Sequence, residues 1–522
     1  MRRGGGYACV MSTRRRTRQL PSLLALAGLL AAAGCSTTSS DRPPLSVLRD
    51  TSESATRRLQ AVSDLRASQS AAERVGVDAV APRDVYKEIA WTTGQPPALR
   101  AAVVDALLND RDESVVNDAR DMAKMMLPKE GAREVVVAIC RNAGTKGWTD
   151  FTPAIVRAYS RTLPGVDESD RVERFALQDL HPGRSVEEVV FGVFLDPPQL
   201  PPTEAVDWTM RHRADAWNVL ARIDPQGTAR AAMMDRAAGV KGDPVLDALR
   251  AARDELRAIP VTGDELTWLA SLRSPKRKED AGWWKQTAAA VAKTPAEVGD
   301  LRLRHLEAIR WTASAAPELL SMSRDQLAMR VQQRLEGRSF HQRSVAEGKR
   351  VDGPVKSERF ERRVAELSWA DLVAILAIDE AVRQPHVVRA LFAQARADRA
   401  DTSTEYGGLV AFRRSEVADG PAERAVVMLY MPRSSQRRGD TQFVASDEMI
   451  AASDHAIAHY HFHVQKERNA EYAGPSDGDF DYATRHGRGC LVFTSVGEGQ
   501  LAVDYYHPGD LVIDLGTITP SR

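Results

Sequence analysis

Cysteine is scarce in this chain of 522 residues: Cys9, Cys35, Cys140 and Cys490 are the only four. Two of them fall within the first 35 residues, and no pair is spaced Cys-x-x-Cys. That excludes a disulfide scaffold and a thiolate zinc knuckle. Any metal would have to be held by imidazoles and carboxylates. An excess of one charge is also missing, since 71 basic residues face 71 acidic ones. Nothing therefore points to nucleic acid or to an acidic substrate. Beyond the first 40 residues no apolar run is long enough to span a bilayer. What is present, 43% hydrophobic and 27% charged residues, is ordinary for a globular protein and excludes wholesale disorder. The length leaves room for roughly two to four domains.

The opening segment reads as an address. Arg14, Arg15, Arg16 and Arg18 form a basic stretch, and residues 20–33 are apolar and small, interrupted by Pro21 and Ser22. Then come Ala32-Ala33-Gly34-Cys35 and a run of Ser and Thr. A basic region, a short apolar region and small residues before a cut make an export signal. The signal is complete from Met11 as well as from Met1. The Ala-Gly-Cys step resembles the lipobox of bacterial lipoproteins, with Ala32 where that family prefers Leu. The resemblance implies lipidation of Cys35 and anchoring by several acyl chains. The alternative is a plain signal peptide with an incidental Cys35. Ser36, which is not Asp, favours the outer membrane in a cell that has one. The expected organisation is a signal over 1–35, a tether over 36–45, and an exported remainder.

Residues 46–258 show one amphipathic helix after another. Leu99, Val103, Ala106 and Leu107 share a face at helical spacing, as do Val115, Ala119, Met122, Ala123 and Met126. Cys140 sits on an apolar face and reads as core. Antiparallel helix pairs resemble HEAT-like repeats, although no period is clean enough to count; a compact irregular helical domain stays open. Over 259–365 the helical pattern continues with Leu266, Trp268, Leu269 and Leu272. The charged run 276–280 reads as a solvated break and Trp283-Trp284 as packing. Residues 336–358, with Gly348, Gly353 and Pro354, read as a linker or loop.

From Tyr406 the pattern changes. Residues 407–412, 424–431, 456–464, 491–495, 501–506 and 511–515 read as strands separated by Gly and Pro turns. A helix with Val388, Leu391, Phe392 and Ala395 on one face precedes them, and another starts at Ser476. The expected fold class is therefore multidomain: an all-α N-terminal region, then an α+β domain over 366–522 with a mainly antiparallel sheet.

Chemistry concentrates in this last part. In His459-Tyr460-His461-Phe462-His463, alternation along a strand puts three imidazoles on one face. Two neutral imidazoles and a carboxylate, with one open position, are the usual layout of a catalytic zinc site. Pro475-Ser476-Asp477-Gly478-Asp479 follows; Ser476-x-x-Asp479 is also an N-cap pattern. Cys490 reads as a buried strand residue, and His486 and His507 are assigned nothing.

These residues resemble the JAB/MPN (JAMM) metalloproteases. That family carries a Glu at the start of a Gly-containing strand, then His-x-His, then Pro-Ser-x-x-Asp opening a helix. Here the series is Glu405-Tyr406-Gly407-Gly408, His461-Phe462-His463 and Pro475-Ser476-Asp477-Gly478-Asp479. The 464–475 connection is longer than the family's, and Phe462 and Val464 stand where it often has Ser and Pro. The resemblance implies zinc held by His461, His463 and Asp479, with Glu405 as general base and Ser476 near the developing oxyanion. His459 with His461 remains an alternative pair. The implied activity is hydrolysis of an amide bond by an exported peptidase or isopeptidase acting on a peptide or protein. The helical region could recruit a protein partner. Two other classes stay open: a non-catalytic JAB-like scaffold in the cell envelope, and a different metal protein that uses the His strand without Glu405.

Overall fold

The computed structural model describes residues 42–72, 80–163, 165–199, 207–274, 277–299, 301–342, 356–414 and 423–520. The expected signal, Cys35 and most of the tether lie outside the described residues. Two compact units divide the chain, Met1–Ile89 and Ala90–Arg522. In the first, helices Pro44–Arg49 and Ala55–Ala72 pack together. The buried Arg58 guanidinium donates to the Leu48 carbonyl at 3.0 Å, which satisfies an acceptor that the short helix leaves open.

The second unit begins as helix after helix, from Pro97–Leu108 to Arg324–Leu335. Starts are set by short polar caps: Asp112 accepts from Ser114 N, and Ser185 with Glu188 and Thr262 with Glu265 form reciprocal capping boxes. The expected apolar faces are buried at Leu99, Val103, Leu107, Ala119, Met122, Ala123 and Met126, and Cys140 is buried with them. Trp283 and Trp284 are both buried, with indole N–H groups donating to Glu307 (2.6 Å) and Glu255 (2.7 Å). Within the charged run expected to be a solvated break, Asp280 is not solvated. Helix Lys278–Val291 starts inside the run, and Asp280 is fully buried. A buried carboxylate needs a compensating charge, and Arg277 Nε supplies it at 2.7 Å from Asp280 Oδ2.

Among the described residues eight strands follow: β1 Thr404–Glu405, β2 Gly407–Arg414, β3 Glu423–Leu429, β4 Gly439–Phe443, β5 Ala456–His463, β6 Cys490–Gly497, β7 Gln500–His507 and β8 Leu511–Ile518. Six form one sheet in the order β3-β2-β5-β6-β7-β8. Its neighbours are antiparallel except β5 and β6, which run parallel. β1 and β4 make a separate parallel pair that the sequence pattern does not announce. On β5 the Tyr460 hydroxyl donates to Gln394 Oε1 at 2.5 Å, so this face packs on helix Pro385–Ala400. The opposite face, carrying the histidines, packs on helix Asp477–His486. Of the expected linker 336–358, residues 343–355 lie outside the described residues. Its described ends cover the β8 edge: Ser339 O accepts from Thr517 N and Glu358 O from Asp514 N.

The helices before residue 366 are knit into this sheet. Trp311 stacks on Phe412 with centroids 4.2 Å apart, Arg310 pairs with Glu423 at 2.9 Å, and Trp268 Nε1 donates to Asp454 O at 3.1 Å. The divisions expected near 258 and 365 are therefore not boundaries between compact units.

Two glycines set a direct test. A Cβ on Gly408 would lie 1.9 Å from the Met428 carbonyl oxygen across the β2–β3 pair, while a Cβ on Gly282, inside a helix, would meet nothing. Gly408→Ala should destabilise the chain by more than about 2 kcal/mol in urea titration. Gly282→Ala should stabilise it by about 0.5–1 kcal/mol.

Candidate metal centre

Two parallel neighbouring strands cannot be joined by a hairpin; the chain must cross over the sheet. Between β5 and β6 it does so through the turn Ala470–Tyr472 and the helix Asp477–His486. A crossover helix starts near the carboxyl end of the strand it leaves, where open sheets bind ligands. Here that end of β5 carries His461 and His463, and the helix's first turn carries Asp479. The antiparallel neighbour supplies the fourth group. Gly407 pairs with His461 and Phe462 N donates to Tyr406 O, which brings Glu405 beside His463.

Hydrogen bonds orient Ser476, Asp479, His463 and Glu405, and ring stacking orients His461. Ser476 caps the helix, accepting from Asp479 N at 3.4 Å. In return Asp479 Oδ2 accepts from Ser476 N (2.7 Å) and Ser476 Oγ (2.9 Å). Oδ1 then lies 3.1 Å from His461 Nε2. His463 Nδ1 is hydrogen-bonded to Tyr472 O at 3.1 Å, which makes it the protonated nitrogen and leaves the lone pair on Nε2. That Nε2 lies 3.8 Å from Asp479 Oδ2 and 3.9 Å from Glu405 Oε1. Gln465 Nε2 donates to Glu405 Oε1 at 3.3 Å, and Phe443 stacks on His461 with centroids 5.3 Å apart.

The distances suit a shared cation. Ligands about 2.0–2.1 Å from a tetrahedral ion lie roughly 3.3–3.5 Å from one another, close to the separations above. Nitrogen and carboxylate atoms of Glu405, His461 and His463 all lie within 4.8 Å of one another, the one such group among the described residues. His461 Nε2 is the telling atom. It is buried and close to Asp479, yet misaligned for a hydrogen bond and without any other hydrogen-bond partner. A cation placed between the two atoms would be a partner for both.

Burial sets the electrostatics. Burial pushes the Glu405 carboxyl up to about 8, helped by the nearby Asp479 and Asp398. Asp398, buried behind it, is raised to about 7 for the same first reason. Burial opposes charge on His461, but Asp479 outweighs it and the imidazole is raised to about 8. Asp479 is held well below the carboxylate range despite burial, by the His461 charge. Burial raises the Cys490 thiol to about 12, so it is inert at neutral pH.

All five residues singled out in the sequence, Glu405, His461, His463, Ser476 and Asp479, come together here. Ser476 enters through its cap, its hydroxyl engaged by Asp479. His459 stands apart: its Nδ1 is hydrogen-bonded to the Tyr482 hydroxyl at 2.7 Å. Tyr472, Gln465, Phe443 and Asp398 were not foreseen. Phe443 lies on a short strand with no alternating pattern, and Tyr472 acts through its carbonyl, which leaves no residue-type signal. Comparison with protein-family models, curated proteins and solved structures gives no match.

A pH dependence follows for the metal-free chain. His461 is held near 8 against an ordinary 6.5, so its protonated form stabilises the fold. That contribution is whole below pH 6.5 and is lost as pH rises through about 8. Glu405 acts in the same sense, losing stability from its ordinary 4.5 up towards 8. The thermal midpoint should fall as pH rises from about 6.5 to above 8, and less steeply in His461→Gln. Equal slopes in parent and variant would contradict the pairing.

Proposed function

We propose that the sheet region is a JAB/MPN-type zinc metallohydrolase that cleaves an amide bond in a peptide, protein or isopeptide-linked substrate. The leader over 1–35, with Cys35 lipidated, would place it in the cell envelope on a lipid anchor. The helical region would recruit the substrate or a protein partner. The observation that carries the chemistry is the misaligned, buried His461 Nε2, 3.1 Å from a carboxylate oxygen of Asp479.

His461 Nε2, His463 Nε2 and Asp479 Oδ1 would hold the ion. When bound, zinc acts as a Lewis acid and lowers the pKa of water in its open position towards ~7. Proximity alone groups Glu405 rather than Asp479 with the two histidines. We assign Asp479 as the ligand because Ser476 holds its carboxylate by two hydrogen bonds with Oδ1 3.1 Å from His461 Nε2, whereas Glu405 stands farther off, 3.9 Å from His463 Nε2. A bound cation would draw the Glu405 carboxyl down from its raised value and leave it ionised, so that it would accept a proton from the attacking water and pass it to the leaving amine. Ser476 holds Asp479 through two hydrogen bonds; a further role beside the oxyanion is compatible with its place at the helix start.

Metal analysis of the purified full chain tests this. About one zinc per chain is expected by mass spectrometry, and none in His461→Ala/His463→Ala. Glu405→Gln should keep its zinc and lose at least about 100-fold in hydrolysis of a peptide library. Loss of zinc in Glu405→Gln would make Glu405 a ligand and remove it as the base. A parent chain that takes up no zinc at neutral pH would overturn the enzyme assignment.

A further inference from the structure

His459 is the third histidine of the His-x-His-x-His strand, and the chemistry above does not use it. It is buried, as is His461, and it faces the same helix. The strand repeat of two puts residues 459, 461 and 463 on one face. The helix repeat puts Asp479 and Tyr482, three apart, on one face as well. The two faces therefore meet as a ladder with two polar rungs: His461 opposite Asp479, and His459 Nδ1 hydrogen-bonded to the Tyr482 hydroxyl at 2.7 Å. Phe443 joins the rungs, stacking on His461 at 5.3 Å and meeting the Tyr482 ring edge-on at 5.8 Å.

We propose that His459 and Tyr482 are positioning residues that fix the register of the crossover helix on β5 and thereby hold the Asp479 carboxylate at the metal position. The proposal rests on the reading of the site as a metal centre. A single rung fixes one point of contact and leaves the helix free to turn about it. A slip of one residue would move Asp479 by about 1.5 Å along the helix axis, whereas a metal tolerates only about 0.2 Å in ligand distance. A second rung, one helical turn further on, removes that freedom. Packing alone does not account for an imidazole at position 459. Its Nε2 is buried and has no hydrogen-bond partner among the described residues. An apolar side chain would fill the space without stranding a polar atom. The imidazole is retained for the bond that Nδ1 makes.

The test uses the full chain, zinc titrated against a competing chelator, and the visible spectrum of the cobalt-substituted protein. Tyr482→Phe removes only the hydroxyl. It should weaken zinc binding by about 10–100-fold, shift the cobalt bands, and lower the metal-free thermal midpoint only modestly, by the cost of leaving His459 Nδ1 without its partner. His459→Leu should do the same, while His459→Asn, whose amide can stand in for Nδ1, should restore much of the affinity. Tyr482→Phe combined with His459→Leu should cost no more than either alone. An affinity within twofold of the parent in Tyr482→Phe, or a loss that tracks a lower thermal midpoint with unchanged cobalt bands, overturns the proposal. These outcomes are separate from failure of the site itself, in which the parent chain would bind no zinc.

Discussion

The parallel pairing of β5 with β6 is the constraint on which the centre depends. Its register sets His459 opposite Cys490, His461 opposite Val492 and His463 opposite Thr494. Because neighbouring parallel strands demand a crossover, the chain after His463 must climb over the sheet and return at Cys490. The helix that makes this crossing starts where the histidines end. An antiparallel β5–β6 hairpin would have carried the same residues and left Asp479 on a loop, with no reason to face them. The longer 464–475 connection serves the same geometry. Asn469 N donates to Ser495 O at 2.7 Å, which ties the turn down and lets Tyr472 present its carbonyl to His463.

Charge in a dry space explains why this corner suits a cation. Three carboxyl groups, Glu405, Asp479 and Asp398, are buried around two imidazoles. Without a compensating charge such a cluster is costly, and the chain relieves it by holding protons on His461, Glu405 and Asp398. A divalent ion does the same job with better geometry, because it can be approached from several sides at once by lone pairs that cannot hydrogen-bond to one another. Asp479 stays ionised while Glu405 does not, although both are buried. The difference lies in partners: Asp479 has His461 at 3.1 Å and two donors from Ser476, whereas Glu405 has one long bond from Gln465. That contrast gives two carboxylates in one corner opposite proton affinities.

The legible parts of this arrangement were those written in period and residue type. Alternation marked β2, β5, β6, β7 and β8, the 3.6 repeat marked the helical faces, and Ser476 marked the start of the crossover helix. The donor set was visible because imidazole and carboxylate side chains carry their chemistry in their identity. Illegible were the parts written in backbone and in burial. β1 has two residues, too few to show a period, yet it seats Glu405. The Tyr472 carbonyl belongs to any residue. Asp280 looked like one more solvated charge in a charged run, and only the surrounding fold shows that it is buried against Arg277. The contacts between helices and sheet were illegible for the same reason, since Trp268, Trp311 and Arg310 read as ordinary helical residues until the sheet region they grip is seen.

That grip extends to the crossover helix itself. The helix ends at Gly487, whose left-handed conformation (φ 64°) only glycine adopts without strain. A Cβ there would fall 2.4 Å from the buried Glu265 carboxylate, which arises from the helical region. One residue earlier His486 Nδ1 lies 2.9 Å from Asp264, and one residue later the Arg488 guanidinium lies 3.4 Å over the Trp268 ring. Three successive residues at the far end of the helix are thus seated on the helix Gly263–Leu272 and its cap. At its near end the same helix presents Asp479 to β5. Strand and helical region hold opposite ends of one ten-residue element. The helix Gly263–Leu272 therefore belongs to the architecture of the site, because it fixes one end of the element whose other end presents Asp479 to His461.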